Sequence, residues 1–349
     1  MNLKNTSEQY VGVIGSGSFG TAVANILAQK TKVLLYARKM EVVEDMSKTR
    51  MSGKQRLLDN VIPVHDLERI AHECEIIFPI VPSENFRGMI RQLSPFLKPY
   101  HILIHGTKGL LVNDDNWFEN GGRITADDIC TMSRVIGDET VVVRIGCLAG
   151  PNLAKELADN QPAATVVASH FDEVIQEGQR LLRNDRFQVY GNTEMYGIEL
   201  CGVLKNVIAI AAGALHGLGF GENARALLIS RGLVEMIYLG KMLGVNTDPF
   251  LGLAGLGDLV ATSSSPLSRN FTLGKRLAEG ERFLDIMDSL EEVAEGVNTV
   301  RIMKHLAENY QMRAPITETL YKVFWDDLSI QDALRFLMKS PFNVDISFM

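Results

Sequence analysis

A lysine stands at position 205 in the middle of "CGVLKNVIAIAAGALHG", residues 201–217, a run otherwise almost wholly apolar. Wound as a helix, the run places Lys205 on one stripe with Ala209, Ala212, Gly213 and His216, at offsets of 4, 7, 8 and 11. Val203, Leu204, Val207, Ile208 and Ile210 fall largely elsewhere. A stripe of small residues beside a lysine describes either a cavity wall or a close helix contact, and both take the ammonium out of bulk water. An ammonium buried without a partner is costly, and the usual response is a lowered pKa. A lysine tuned that way exchanges a proton near neutral pH, which is what a carbonyl reductase needs at a developing alkoxide. The competing reading is a lysine snorkelling from a half-buried helix, and this run alone does not separate the two.

Further polar groups stand in "GLAGLGDLVATSSSPLSRN", residues 252–270. Asp258 is an acid able to pair with a buried ammonium. Ser268, Arg269 and Asn270 suit a phosphate, because the planar guanidinium fork donates two parallel bonds and the neighbours add neutral donors. For Ser268 alone, a cap on the helix "NFTLGKRLAEG" is a competing role. Lys108, in "HGTKGL", ends an expected strand, where open α/β sheets bind ligands. In "LAGPNLAKELA", Gly150, Pro151 and Asn152 are expected to cap a helix and present backbone N–H groups. His101 and His105 fall on one face of a strand "HILIHG"; with no other metal-type ligand beside them they read as hydrogen-bonding or structural residues, and no metal site is expected.

The elements that must position these groups begin with "VGVIGSGSFGTAVANILAQ". Gly15, Gly17 and Gly20 follow an apolar strand and open a helix, the setting in which G-x-G-x-x-G holds a dinucleotide. The first glycine permits the turn, the second lets backbone approach a pyrophosphate, and the third lets helix and strand pack closely. At about 20 positions further on, where NAD-specific sites carry a carboxylate for the ribose 2′-OH, the chain reads Tyr36, Ala37, Arg38, Lys39. Two cations and no acid there predict that NADPH is accepted and favoured; a solvated basic turn is the plainer alternative.

Residues 10–150 alternate β-rich runs ("YVGVIG", "KVLLYA", "CEIIFPIV", "HILIHG", "VVVRIG") with helical stretches, the rhythm of βαβ units and a parallel sheet. "AATVVA" and "FQVY" are expected to complete it. After about residue 195 the apolar spacing becomes helical, so the domain boundary is placed near Gly191 to Tyr196. Residues 113–128, "NDDNWFENGGRITADD", are polar and turn-rich and read as a surface loop.

The 349 residues are 46% apolar and carry a net charge of −7, which suits two globular domains and opposes a nucleic-acid surface or a polybasic membrane anchor. Any anionic ligand must be held by a local site. Cys74, Cys130, Cys147 and Cys201 lack disulfide or zinc spacing, which favours a reducing cytoplasm. The polar first residues do not resemble a signal peptide, and no uninterrupted apolar run has the length expected of an integral membrane segment.

The strings "GSGSFGTA", "TKGL", "AGPNLAKE", "GIELCGVLKNVIAIAAG", "GENARALLISRGLVEM", "GLAGLGDL", "SPLSRNFTLGK", "VAEGVNT" and "APITETLY" run in order nearly end to end. In them the chain closely resembles the NAD(P)-dependent glycerol-3-phosphate dehydrogenases. The strings around Lys205 and around Ser268, Arg269 and Asn270 are highly specific; the glycine loop is shared with many dehydrogenases. The resemblance implies an α/β Rossmann-type N-terminal domain over residues 1–194 and an all-α C-terminal, substrate-binding domain over 195–349. It implies reversible reduction of dihydroxyacetone phosphate to sn-glycerol 3-phosphate with NADH or NADPH, feeding phospholipid synthesis in the cytoplasm, and a homodimer.

Carried over by position, Lys205 is the proton donor and acceptor, with Lys108 and Asp258 also catalytic. Lys108, Gly150, Asn152, Lys205, Asp258, Ser268, Arg269 and Asn270 fall at substrate positions. Gly15, Gly17, Ser18, Phe19, Gly20, Arg38, Lys39, Lys108, Ala154, Arg269, Val293 and Glu295 fall at cofactor positions. Asn152 stands where the family typically has Ser or Thr, Ser263 where Cys is common, and the 113–128 insertion is longer than in bacterial members. Two rival readings fit the same elements: a related reductase of a small carboxylated substrate, such as a 3-hydroxy acid dehydrogenase or a ketopantoate reductase, and a dinucleotide sensor without catalysis. The phosphate-type cluster opposes the first, and the full set of catalytic groups opposes the second.

Overall fold

A computed structural model of the protein describes residues 10–114, 116–119, 121–289 and 294–339. Short runs rich in Val, Ile and Leu, bounded by turns, form eight strands: β1 (Tyr10–Ile14), β2 (Val33–Tyr36), β3 (Val61–Val64), β4 (Cys74–Pro79), β5 (Ile102–His105), β6 (Arg144–Ala149), β7 (Ala163–Ser169) and β8 (Phe187–Asn192). They make one sheet in the order β8-β7-β6-β5-β4-β1-β2-β3. The pairings are parallel except β6 with β7, which is antiparallel. The departure from an all-parallel sheet follows from the connection between them. Residues 150–162 carry only a five-residue helix, where a parallel crossover ordinarily uses a helix long enough to span the sheet.

Helices α1 (Ser18–Ala28), α2 (Met40–Thr49), α3 (Leu67–Glu73), α4 (Ser83–Leu93), α5 (Met132–Glu139), α6 (Ala154–Ala158) and α7 (Asp172–Leu182) accompany the sheet. Central strands buried on both faces read as continuous apolar runs, and Val13, Ile14, Ile77 and Phe78 are fully buried. The strand order reverses between β1 and β4, so the carboxyl ends of these two strands form the crevice where sheets of this kind take their ligands.

The chain divides into two compact units: Met1–Lys108 with Thr131–Met195, and Gly109–Cys130 with Tyr196–Met349. The second is built from α8 (Met195–Gly217), α9 (Glu222–Met242), α10 (Asp248–Leu251), α11 (Asp258–Ser264), α12 (Arg269–Ala278), α13 (Phe283–Ser289), α14 (Glu295–Asn309), α15 (Pro315–Trp325) and α16 (Ile330–Lys339). Among the described residues α8 alone is long and apolar enough to cross a membrane, and it is buried inside the protein as a core helix.

Segment 109–130 folds with the helices, not with the sheet that flanks it in sequence. Leu111–Val112 pairs antiparallel with Ile129–Cys130. Trp117 is buried edge-on to His305 of α14, ring centroids 5.4 Å apart. Asn298 and Asn309 on the same helix donate to the carbonyls of Leu110 and Ile124, at 3.1 and 2.8 Å. The polar composition that suggested a surface loop conceals Trp117 and Ile124, whose burial anchors the segment.

The small-residue stripe of α8 proves to be a helix contact. A Cβ on Gly213 would fall on the Phe271 carbonyl of α12, and one on Gly274 would fall on the Ile210 carbonyl of α8. Backbone meets backbone there, which fixes the start of α12 relative to α8.

Candidate active site

In the sheet unit, β1 ends at Ile14 and α1 begins at Ser18, with Gly15 to Gly17 as the turn. Gly15 has φ +123°, and a Cβ on it would strike the Ile80 carbonyl, so the turn demands glycine. A Cβ on Gly20 would strike the carbonyl of Gly15. The N-cap of α1 is Gly17 in extended conformation; no side chain caps the helix and its first turn holds no acid. The positive end of the helix dipole therefore faces this turn without a competing acid, and the cradle fits a dinucleotide pyrophosphate. The Ser18 carbonyl accepts from Gln55 Nε2 at 2.8 Å, and the Phe19 ring lies against Gly106.

At the end of β2, Arg38 and Lys39 are exposed, and neither side chain makes a hydrogen bond or ion pair among the described residues.

Lys108 follows β5 and donates from Nζ to the Gly150 carbonyl at 3.0 Å. Gly150 has φ +147°. Asn152 donates from Nδ2 to Thr165 Oγ1 at 2.8 Å, and its Oδ1 is buried with no hydrogen-bond partner among the described residues. The expected cap is absent: α6 starts at Ala154 after an extended Leu153, without a side-chain cap, and Asn152 instead reaches across to β7. His101 is structural, accepting from the Lys98 amide at Nδ1 (2.8 Å) and donating to the Ala71 carbonyl from Nε2 (2.8 Å).

In the helical unit the lysine is buried and paired. Asp258 and Thr262 lie one turn apart on α11 and so share a face. Lys205 Nζ lies 2.5 Å from Asp258 Oδ1 and 2.5 Å from Thr262 Oγ1, and the threonine hydroxyl donates to Asp258 Oδ1 at 3.1 Å. Lys205, Asp258 and Thr262 are 5%, 1% and 4% exposed, which rules out snorkelling. An ammonium held by a carboxylate and a hydroxyl in a dry setting has the position and the pairing that proton transfer requires. Thr262 escaped the sequence reading although its signal was there, four residues after an acid on a helix. Cys201 is no competing nucleophile, since burial and then the neighbouring Asp258 charge push its thiol far above the ordinary range.

Ser268, Arg269 and Asn270 occupy the start of α12, whose first turn holds no acid. Ser268 Oγ accepts from the Phe271 amide at 3.3 Å and is the helix cap. Asn270 Oδ1 accepts from the Gly296 amide of α14 at 3.0 Å. Of the trio, the exposed Arg269 guanidinium and the Asn270 amide group can supply donors to a phosphate, with the helix N-terminus behind them. Glu295 opens α14; Val293 lies outside the described residues.

Two family models match the chain. "NAD-dependent glycerol-3-phosphate dehydrogenase N-terminus" covers residues 10–175, and the corresponding C-terminus model covers 194–335. The chain is 38% identical over 349 residues to the glycerol-3-phosphate dehydrogenase [NAD(P)+] of Pseudomonas putida, spanning 99% of this chain and 98% of the relative. It is 39% identical over 333 residues to that of Geobacter sulfurreducens, spanning 94% and 96%. The crystal structure of glycerol-3-phosphate dehydrogenase from Coxiella burnetii superposes with a TM-score of 0.85 at 32% identity, covering 95% of this chain and 99% of that one.

Proposed function

The chain belongs to the NAD-dependent glycerol-3-phosphate dehydrogenases, oxidoreductases that use NADH or NADPH, and from that premise we propose that Lys205 is the acid and base of its reaction. The reaction is the reversible reduction of dihydroxyacetone phosphate to sn-glycerol 3-phosphate. The observation that carries this reading is the burial of Lys205 Nζ at 2.5 Å from both Asp258 and Thr262. When bound, the reduced nicotinamide supplies the hydride that adds to C2 of the ketone.

As C2 becomes tetrahedral, the Lys205 ammonium gives a proton to the carbonyl oxygen and is left as the amine; in the reverse direction the amine takes the alcohol proton. Asp258 keeps the lysine cationic before transfer and, with Thr262, aims Nζ. Arg269 and the Asn270 amide hold the phosphate of the substrate, converting an encounter into a positioned reaction. Lys108, fixed by the Gly150 carbonyl, adds a second cation on the substrate side. Gly15, Gly17, Ser18, Phe19 and Gly20 hold the pyrophosphate, and Arg38 and Lys39 favour the 2′-phosphate of NADPH. The sheet unit thus serves the dinucleotide and contributes Lys108, and the helical unit supplies the proton carrier and the phosphate donors. The product feeds phospholipid synthesis. Four buried free cysteines suit a reducing cytoplasm, and a homodimer is the proposed assembly, to be measured by sedimentation.

Lys205→Ala tests the central role. Loss of a positioned acid–base group costs roughly 10²–10⁴ in kcat, while NADPH affinity, which depends on the sheet unit, stays within about twofold. An alanine variant with undiminished kcat refutes the assignment.

A further inference from the structure

We propose that His65 is a third determinant of cofactor choice and makes the preference for NADPH over NADH depend on pH. The inference rests on the reading of Arg38 and Lys39 as the 2′-phosphate site. Strand β3 runs parallel to β2 with Tyr36 opposite Val64, so the residue after β3 flanks the residues after β2. The Ala37 amide donates to the Val64 carbonyl at 3.0 Å, and in return His65 Nδ1 lies 2.9 Å from the Ala37 carbonyl. The ring lies nearly parallel to that of Tyr36, at 5° with centroids 6.1 Å apart, which fixes its plane.

A carbonyl oxygen only accepts, so Nδ1 carries the hydrogen. Nε2 then bears a lone pair when the imidazole is neutral and an N–H when it is cationic. Nε2 makes no hydrogen bond among the described residues, and the residue is exposed beside the two uncommitted cations. The neutral ring presents a lone pair to a phosphate, and the cationic ring presents a charge-assisted donor. The charged and titratable groups around it are Tyr36 from β2, Arg38 and Lys39 from the following turn, and Asp66 from the start of α3. The Asp66 carboxylate has its Oδ1 committed to the α3 cap, accepting from the Glu68 and Arg69 amides at 2.9 and 3.2 Å. NADH lacks the phosphate and gains nothing from the cationic ring.

The test is equilibrium binding, free of turnover, with NADPH and NADH titrated against the full-length protein between pH 8.5 and 6.5 and bound cofactor read by its fluorescence. In the unaltered protein the ratio of NADH to NADPH dissociation constants should rise by roughly threefold to fivefold as pH falls, the worth of one exposed ion pair. His65→Asn, which keeps a donor toward the Ala37 carbonyl, should remove the rise; His65→Arg should hold the ratio high at every pH. Titration of the ligand phosphate is common to all three proteins and cancels when their slopes are compared. Equal slopes in the unaltered and His65→Asn proteins overturn the inference, as does tighter NADH binding that persists at pH 6.5. Arg38→Ala separates it from the reading beneath it. If that variant leaves the ratio of NADH to NADPH dissociation constants unchanged, the 2′-phosphate site itself is misplaced; if it lowers that ratio while His65→Asn does nothing, only the role of His65 falls.

Discussion

Asp258→Asn would keep the shape of the acid and remove its charge, leaving the Lys205 ammonium buried at 5% exposure beside a neutral amide. Breaking a buried pair from one side costs about 3–5 kcal/mol, so the variant should both unfold earlier in denaturant and lose kcat. Thr262→Val is the sharper probe, because it removes the hydroxyl that bonds both Nζ and Asp258 Oδ1 and leaves the ion pair. Aim is lost and charge is kept, so kcat should fall by about tenfold, the worth of one hydrogen bond of roughly 1 kcal/mol or a little more, with KM for dihydroxyacetone phosphate nearly unchanged. Thr262→Ser should restore most of the rate. An equal loss in the serine and valine variants would mean the residue only fills space. At this scale the sequence marked the buried lysine and the acid that pairs with it, because a charge within an apolar run and an acid after a glycine turn are both conspicuous. It did not reveal how the polar atoms divide their bonds. The hydroxyl of Ser268 closes a helix end, the Oδ1 of Asn270 is taken by the Gly296 amide, and Asn152 turns to Thr165. Those choices depend on which backbone groups lie opposite, and neighbours in sequence do not specify them.

Helices α9 and α15 are joined by one buried carboxylate. Glu235 accepts from the Ile316 amide at 2.8 Å, the Thr317 amide at 2.9 Å and the Thr317 hydroxyl at 2.6 Å, and so satisfies orphan donors at the start of α15. Burial outweighs these bonds and pushes the carboxyl up to about 7 from its ordinary 4.5. The folded protein therefore holds this proton more tightly than the unfolded chain. The stability it contributes is complete below about pH 4.5 and is lost as pH rises through about 7. Glu235→Gln cannot titrate, so its Tm should fall less than that of the unaltered protein between pH 5 and pH 8, measured by calorimetry at both values. Parallel Tm curves would show that Glu235 is charged throughout. Elements themselves were well marked in sequence: the strands expected at "AATVVA" and "FQVY" are β7 and β8, and the boundary near residue 195 coincides with the start of α8. The antiparallel step from β6 to β7 was not marked, because strand direction is set by how far the connection can travel and not by the strand's own residues.

Across the whole molecule, structural units need not be contiguous in sequence, and segment 109–130 is the case in point. It leaves the sheet unit after Lys108, packs on α14 and returns at Thr131. Its polarity made it look like a loop of the first domain; two apolar anchors and two backbone carbonyls tie it to the second. Trp117 is the larger anchor, 7% exposed, edge-on to His305 and with the Arg301 guanidinium 5.9 Å from its ring centroid. Truncating a buried tryptophan costs about 3–5 kcal/mol, and the location of that loss tests the division into units. If stability follows spatial units, Trp117→Ala should speed amide exchange along α14 and α15 and leave β1, β4 and β5 as protected as before, although Trp117 lies far closer in sequence to β5 than to α14. NADPH affinity, carried by the turn after β1 and the end of β2, should also be unchanged. Loss of protection in β5 with α14 intact would show that the segment supports the sheet, and the division drawn here at Lys108 and Thr131 would have to be abandoned.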